Sequence, residues 1–368
     1  MKYTSIGGQA VMEGVMMRSA NSLVMSVRRG DGSIVVEKKK LNRKPWRKTV
    51  AKIPLVRGVV AFVDSLLQGM KLTSRSAELY GEDMLAEEEP SKFEKWMADK
   101  LGIKIETVAI VIGLVLGIAL SFVLFMFLPS LVTRFIWFLL GKANVTKETA
   151  SMGLILLMDV AEGLVKIAIF IAYILAVGCM KDIKRLFMYH GAEHKVISCY
   201  EHGEELTVEN ARKYSTSHPR CGTSFIFIIM IVGILVTAMA DNLFGLSTAT
   251  AGAMAVRLLV KLALLPLIAG VGYEILKLLA ISDNIVLRIL RAPGMLLQKL
   301  STRQPDDSML EVSLTSFKNV LYMDGLMEEP APAPAAEEAL AESAEATEEK
   351  TETSAETIEK TDTAEADV

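Results

Sequence analysis

The feature that constrains this chain most is a run of 22 uncharged residues at positions 107–128, rich in Val, Ile, Leu and Phe. As a helix, at about 1.5 Å per residue, the run is long enough to cross the roughly 30 Å hydrocarbon core of a bilayer. We therefore expect a membrane-spanning helix here. Pro129 marks its predicted end, and the amphipathic, aromatic segment 131–140 suits the membrane interface.

Three further apolar segments predict membrane spans near residues 152–178, 222–240 and 258–280. The whole chain is 51% hydrophobic with a mean hydropathy of +0.37, which is too apolar for an ordinary soluble domain of 368 residues. The fourth span has the shortest uncharged stretch, so its charged ends must reach toward the interfaces. The predicted fold is an α-helical polytopic membrane protein with about four transmembrane helices.

The distribution of Lys and Arg predicts the orientation of these spans. The chain through Lys104 holds 19 of them and the 179–222 loop holds seven, whereas 129–150 holds three and 241–256 none. Because cytoplasmic loops are enriched in Lys and Arg, both termini and the 179–222 loop are expected in the cytoplasm. The first 20 residues lack a continuous apolar core, so no cleavable signal peptide is expected, and the predicted location is the plasma membrane.

The N-terminal region predicts a small cytoplasmic β-hairpin element. Residues 22–40 read as two strands flanking Gly30-Asp31-Gly32, and residues 7–18 suit another strand or a covering loop. The predicted domains are a hairpin region at 1–53, an amphipathic helix with a charged linker at 54–104, and a membrane domain at 105–281. A cytoplasmic helical segment at 282–327 and a disordered acidic tail at 328–368 complete the list.

Charge is divided unevenly between the tail and the body. The tail holds 14 Asp/Glu and 2 Lys, a net of −12, so with −3 overall the remainder carries about +9. A basic body on a membrane protein predicts contact with anionic lipid headgroups, and the same charge suits RNA. The predicted partners are therefore the lipid bilayer, its anionic headgroups, a cytoplasmic protein or ribosome, and further copies of the chain.

All four histidines fall within residues 190–218, and two of the three cysteines, Cys199 and Cys221, fall within 190–221. His190, Glu193 and His194 form an H-x-x-E-H pattern, whose members share one helix face. Two such imidazoles can hold a divalent metal, most plausibly zinc, with Glu193 as a general base, and His218 and Cys221 can add ligands. Two alternatives remain open: a brace for the helix that follows the second span, and a closed structural zinc site.

The second candidate site is an intramembrane polar cluster of Asp159, Glu162, Lys166 and Glu274. The first three share one helical face, and Glu162 and Lys166 are spaced for an i,i+4 ion pair. Charged side chains at membrane depth usually face a partner or a polar cavity. The cluster therefore predicts either a structural clasp between helices or an ion path.

Four sequence blocks, at 7–18, 189–195, 218–225 and 292–294, together resemble the YqhQ-like family of bacterial integral membrane proteins. That family is a domain of unknown function that carries the label of a predicted metal-dependent enzyme. The resemblance covers roughly residues 1–325 and implies a metal at His190, Glu193 and His194. Gln304 stands where the family tends to have an acidic residue, so it is not a predicted ligand.

These observations leave three hypotheses for function. The first is a metal-dependent, hydrolase-like membrane enzyme. The second is a non-enzymatic biogenesis or scaffold factor that docks a cytoplasmic partner through its basic surface. The third is a transporter or ion pathway, which with four spans would need an oligomer.

Overall fold

The computed structural model describes residues 4–41, 45–50, 52–85, 105–141, 151–219, 221–245, 251–279 and 284–330. The predicted charged linker and nearly all of the predicted disordered tail lie outside these residues.

The N-terminal region forms a four-stranded antiparallel sheet in the order β1 to β4. The strands are β1 (Gly7–Val11), β2 (Gly14–Arg18), β3 (Ser22–Arg28) and β4 (Ile34–Lys40). The predicted hairpin at 22–40 is β3–β4, and Gly32 takes a positive φ in its turn. Residues 7–18, which suited a strand or a loop, form a second hairpin whose turn places Glu13 at a φ of +48°.

The helices follow the sheet along the chain. They are α1 (Pro45–Val50), α2 (Val56–Leu85), α3 (Ile105–Phe122), a π-helical turn (Val123–Phe127), α4 (Leu128–Leu139), α5 (Met152–Val177), α6 (Lys181–Glu201), α7 (Val208–Arg212), α8 (Thr223–Leu243), α9 (Ala251–Leu279), α10 (Ile285–Ser301) and α11 (Asp307–Met323). Among the residues that the structure describes, four stretches are long and apolar enough to cross a membrane: Ile112–Leu139, Gly153–Val177, Phe225–Leu243 and Ala255–Leu279. This number agrees with the four spans predicted.

The expected end of the first span at Pro129 is wrong. The helix continues through Pro129 to Leu139, so residues 131–139 belong to the same helix and to the candidate span Ile112–Leu139. Proline lacks an N–H and clashes with the preceding turn of a regular helix. Here the π-helical turn directly before it widens the helix, and Pro129 falls in the first turn of α4.

The sheet is packed on both faces. Val15, Met17 and Val24 point into a core shared with α6 and α11, which also buries Phe317. The alternate residues of the same strands form a second core against the C-terminal half of α2, where Leu79 is buried. Helix α2 then runs to α9, where Gly58 meets Gly270 so closely that a Cβ on Gly58 would lie 3.0 Å from the Gly270 Cα. Helix α2 thereby joins the sheet to the fourth candidate membrane span.

Candidate metal centre

Helix α6 presents His190, Glu193 and His194 on one face, as the i, i+3, i+4 spacing predicts. The helix has Asp182 in its first turn, where a negative charge favours the helix dipole, and Gly203 with positive φ follows its end. The rings of His190 and His194 lie with their centroids 4.5 Å apart.

Cys221 approaches this face from the start of α8. Its Sγ lies 3.2 Å from the Nε2 of His190. One ligand atom from each of His190, His194 and Cys221 falls within 4.8 Å of the other two. Among the described residues, this is the group of His, Cys and acidic side chains whose spacing suits a metal ion.

Backbone carbonyls fix which nitrogen of each ring faces the cluster. The Nδ1–H of His190 donates to the Ser301 carbonyl at 2.9 Å, and that of His194 to the Thr216 carbonyl at 2.6 Å. Because a carbonyl only accepts, each Nδ1 keeps the proton and each Nε2 carries a lone pair. Metal-ligating histidines are oriented in this way in known sites.

Two polar atoms at the centre of the cluster are buried and have no hydrogen-bond partner among the residues described. They are the Nε2 of His194 and the Oε2 of Glu193. Buried polar atoms nearly always have a hydrogen-bond partner, so two buried atoms without one at the same place call for an explanation. A divalent cation beside them would satisfy both, the nitrogen as a ligand and the carboxylate by charge.

Glu193 is buried against the first strand. Its carboxylate accepts a backbone hydrogen bond from Gly8, and a Cβ on Gly8 would lie 2.8 Å from the Glu193 Cδ. Burial raises the pKa of Glu193 to about 7, with Cys221 acting in the same direction and His190 opposing. The sequence analysis did not predict that Gly8 lies against Glu193. The two adjacent glycines at positions 7 and 8 are the sequence feature that could have indicated such a close approach.

Burial favours the neutral forms of His194, His218 and Cys221. Burial lowers the pKa of His194 to about 3, with His190 contributing, and lowers that of His218 to about 4. Burial also raises the pKa of Cys221, against hydrogen bonds from Thr223. Neutral imidazoles are the form that binds metal, whereas the thiol would have to lose its proton on binding.

The residues present fit a zinc ion. Two imidazole nitrogens and one thiolate are a ligand set that zinc takes in catalytic sites, where a fourth position stays open. The sequence alone allowed four protein ligands with His218 included. In the structure His218 lies beside the group, with its ring centroid 5.8 Å from that of His194, and its Nε2 is 3.3 Å from the Oε2 of buried Glu201. The Glu201 carboxylate therefore competes with a metal ion for the Nε2 of His218.

A family profile described as "Protein of unknown function (DUF1385)" matches residues 53–323 of the chain. The chain belongs to the DUF1385 family. The "Uncharacterized protein YqhQ" of Bacillus subtilis (strain 168) is 35% identical over 324 residues, covering 88% of this chain and 94% of that relative. No solved structure matches. The resemblance drawn from the four sequence blocks is thereby confirmed.

The DUF1385 match includes His190, His194, Cys221 and Glu193, whereas Gly8 lies before it. Two further contacts hold the ligand helix in place. Gly191 packs against residue 303 so closely that a Cβ would lie 2.1 Å from the Arg303 carbonyl oxygen. Lys195 is buried, and its Nζ donates to the carbonyls of Arg212 at 2.9 Å and Tyr214 at 2.5 Å. These bonds fix the loop that supplies the Thr216 carbonyl.

The four residues of the second predicted site, the intramembrane polar cluster, do not all lie together in the structure. Glu162 and Lys166 form the predicted i,i+4 pair at 2.9 Å, and Asp159 accepts from Asn242 at 2.8 Å. Glu274 lies apart from them. It accepts hydrogen bonds from Arg57 of α2, one from Nε at 2.8 Å and one from a second nitrogen. The polar cluster of this DUF1385 protein therefore brings together three of the four predicted residues.

The sequence analysis did not place three further members in this cluster. Arg257 of α9 donates to buried Asp241 of α8 with two nitrogens, one of them at 3.0 Å, and lies 3.9 Å from Glu162. Lys261 lies 3.6 Å from Asp241. The sequence predicts that the charged ends of the fourth span, Arg257 and Lys261 among them, reach toward the interface. In the structure both turn inward, because carboxylates of α5 and α8 meet them.

Proposed function

We propose that this protein is a multi-pass membrane protein with a zinc-dependent hydrolytic centre built from His190, His194 and Cys221, with Glu193 as its base. The observation that carries the proposal is the convergence of two oriented Nε2 atoms and one Sγ beside a buried, unpaired carboxylate oxygen. Three protein ligands leave room for a water molecule or a substrate, as catalytic zinc sites require.

The side chains have separate tasks in this centre. When bound, zinc supplies a Lewis acid that polarises a substrate oxygen and lowers the pKa of a water molecule. Glu193 would act as the general base by accepting a proton at Oε2, while the Gly8 amide holds its carboxylate in place. The Ser301 and Thr216 carbonyls keep the two rings in the ligand tautomer.

We further propose that the centre lies on the cytoplasmic side, close to the bilayer surface. The bias of Lys and Arg supports this orientation. The centre is formed by the segment between the second and third candidate spans, so one side of the membrane holds all its ligands. Helix α10, which supplies the Ser301 carbonyl, exposes Ile285 and Ile289 and suits the headgroup boundary.

The test is the metal content of the protein purified by gentle extraction, with matched variants. His194→Ala and Cys221→Ala should lose the metal. His202→Ala and Cys179→Ala should keep it, because the structure places both of these residues outside the ligand group. A metal-free wild type that takes up no zinc on titration, or equal content in all four variants, would contradict the proposed centre.

Glu193→Gln separates a catalytic centre from a structural one. If Glu193 is a base, the variant keeps the metal, and a cobalt-substituted sample keeps its thiolate charge-transfer band. An added anion should still change the cobalt spectrum, because the fourth position is open. Loss of metal from Glu193→Gln, or a cobalt spectrum that no anion alters, would make the site a closed structural one.

A further inference from the structure

The first half of α2 carries an apolar face that points away from its contacts with the rest of the protein. The side chains of this face, each 43–54% exposed, are Val56, Val63, Leu66, Leu67 and Met70. At 3.6 residues per turn these positions share about a third of the helix circumference. The other side of α2 makes the contacts, since Gly58 meets α9 and Gly69 lies against Gln9 of the sheet. A continuous exposed apolar face of this kind indicates a binding surface.

The start of α2 lies beside two candidate membrane spans, inside their ends. Gly270, which Leu55 and Gly58 approach closely, is nine residues before the end of the fourth candidate span, or about 13 Å at the rise of an α-helix. Phe62 packs edge-on against Phe225, the first residue of the third candidate span, with ring centroids 6.3 Å apart. The first turns of α2 therefore stand at a depth where the two spans meet lipid.

The turn that leads into α2 has the backbone bonding that an apolar environment demands. From Lys52 to Gly58, every residue except Pro54 donates its backbone N–H. Most of these groups bond to backbone carbonyls, and that of Leu55 bonds to the Glu274 carboxylate at 3.1 Å. Because unsatisfied backbone groups are not tolerated in hydrocarbon, the complete bonding of this exposed turn suits insertion into lipid.

The charges near the turn allow a shallow insertion. Arg57 is the one charged residue between positions 53 and 63, and two of its nitrogens donate to Glu274. The ion pair carries no net charge, which lowers the cost of placing it at membrane depth. Lys52 is exposed, and its side chain is long enough to reach the headgroup phosphates. These features suit the depth of about 5–10 Å at which amphipathic helices enter a leaflet.

We propose that residues 52–70 are a lipid-binding anchor, whose turn and first helical turns enter the leaflet beside the third and fourth spans. The apolar face of α2 contacts acyl chains, and the helix leaves the leaflet near Met70. The second half of α2 holds the sheet, where the Met12 amide donates to the Ser76 Oγ at 3.1 Å and Leu79 is buried. The anchor therefore fixes the sheet at one height above the bilayer, and it does not depend on the metal centre.

The test is the immersion depth of spin labels on the full-length protein in liposomes of phosphatidylcholine and phosphatidylglycerol. Each label is attached to one new cysteine in a Cys179→Ala background, because the other two native cysteines are buried. The measured quantity is accessibility to oxygen relative to a water-soluble nickel complex, which rises with depth in the bilayer. Leu235→Cys, at a position 60% exposed within the third span, gives the lipid reference. Ser74→Cys, one turn beyond Met70 at another exposed position, gives the water reference.

The anchor predicts a gradient of depth along the face. The oxygen-to-nickel ratio should approach the lipid reference for Val56→Cys, decrease for Val63→Cys, and be lowest of the three for Met70→Cys. Equal ratios at the three positions would mean a helix lying flat on the surface. Ratios at the water reference for Val56→Cys and Val63→Cys would mean a face left in water. Protection from both reagents would mean that another part of the chain or a second copy covers the face. Each of these three results would overturn the proposal.

Discussion

At the scale of single residues, two glycines set how closely other segments approach the ligand helix. Gly8 admits the Glu193 carboxylate, and Gly191 admits the Arg303 carbonyl. Both contacts join positions more than 100 residues apart, so periodicity cannot reveal them. The spacing of His190 and His194 was sufficient to predict a shared face, because that depends on one helix alone. The carbonyls that orient the two rings come from the end of helix α10 and from the loop after α7, and their positions could not be predicted.

Gly8→Ala should disturb the site, because its Cβ would lie 2.8 Å from both the Glu193 Cδ and the Met16 carbonyl oxygen. Overpacking of this kind costs about 1–3 kcal/mol of unfolding free energy. The expected result is a lower melting temperature in detergent. Gly7→Ala is the control, since its Cβ meets nothing within 4 Å. Equal melting temperatures for the two variants would refute the close approach.

Lys195→Met should weaken metal binding without removing a ligand. The buried ammonium holds the 212–214 turn, and that turn positions the Thr216 carbonyl against His194. Loss of such supporting contacts lowers metal affinity by about 10- to 100-fold. The measurement is zinc affinity by competition with a chelating dye. Lys184→Met, an exposed position on the same helix, should match the wild type, and a wild-type affinity for Lys195→Met would argue against this role.

At the scale of elements, the charged residues of α5, α8 and α9 act as a clasp. The cluster holds three carboxylates, Asp159, Glu162 and Asp241, against three cations, Lys166, Arg257 and Lys261. The ion pairs between α8 and α9 and within α5, and the hydrogen bond from Asn242 to Asp159, favour a fixed contact between helices over an ion path. The sequence predicted the part within one helix, and the rest depended on how three helices pack.

Arg257→Gln should destabilise the membrane domain strongly, because it leaves buried Asp241 without its main partner. Breaking a buried ion pair costs about 3–5 kcal/mol, and removing both charges costs less. The double variant Asp241→Asn with Arg257→Gln should therefore be more stable than Arg257→Gln in chemical unfolding. If the single variant is as stable as the wild type, or conducts ions with its fold intact, the clasp is wrong.

At the scale of the whole molecule, the sheet packs with helices α2, α6 and α11, and four described stretches are long and apolar enough to cross a membrane. Hydropathy was enough to predict the number of spans. The predicted end of the first helix at Pro129 was wrong. Proline usually ends a helix, but here a π-helical turn before it lets the helix continue. The same limit applies to the sheet: the Gly30-Asp31-Gly32 turn predicted one hairpin, while the other depended on Glu13 adopting a positive φ.

Orientation can be tested with a native residue. Cys179 is exposed after the second candidate span, whereas Cys199 and Cys221 are buried. With this end in the cytoplasm, a membrane-impermeant maleimide should label Cys179 in inverted vesicles and leave it unlabelled in intact cells. Cys179→Ala controls for labelling elsewhere. Labelling of Cys179 in intact cells would reverse the proposed topology.

The most direct test of the central claim is X-ray absorption spectroscopy at the zinc edge on the purified full-length protein. The account predicts one sulfur ligand at about 2.3 Å and nitrogen or oxygen ligands at about 2.0–2.1 Å, two of them imidazoles. The sulfur contribution should vanish in Cys221→Ser and persist in Cys199→Ala. Absence of bound zinc, or zinc with no sulfur ligand in the wild type, would contradict the account.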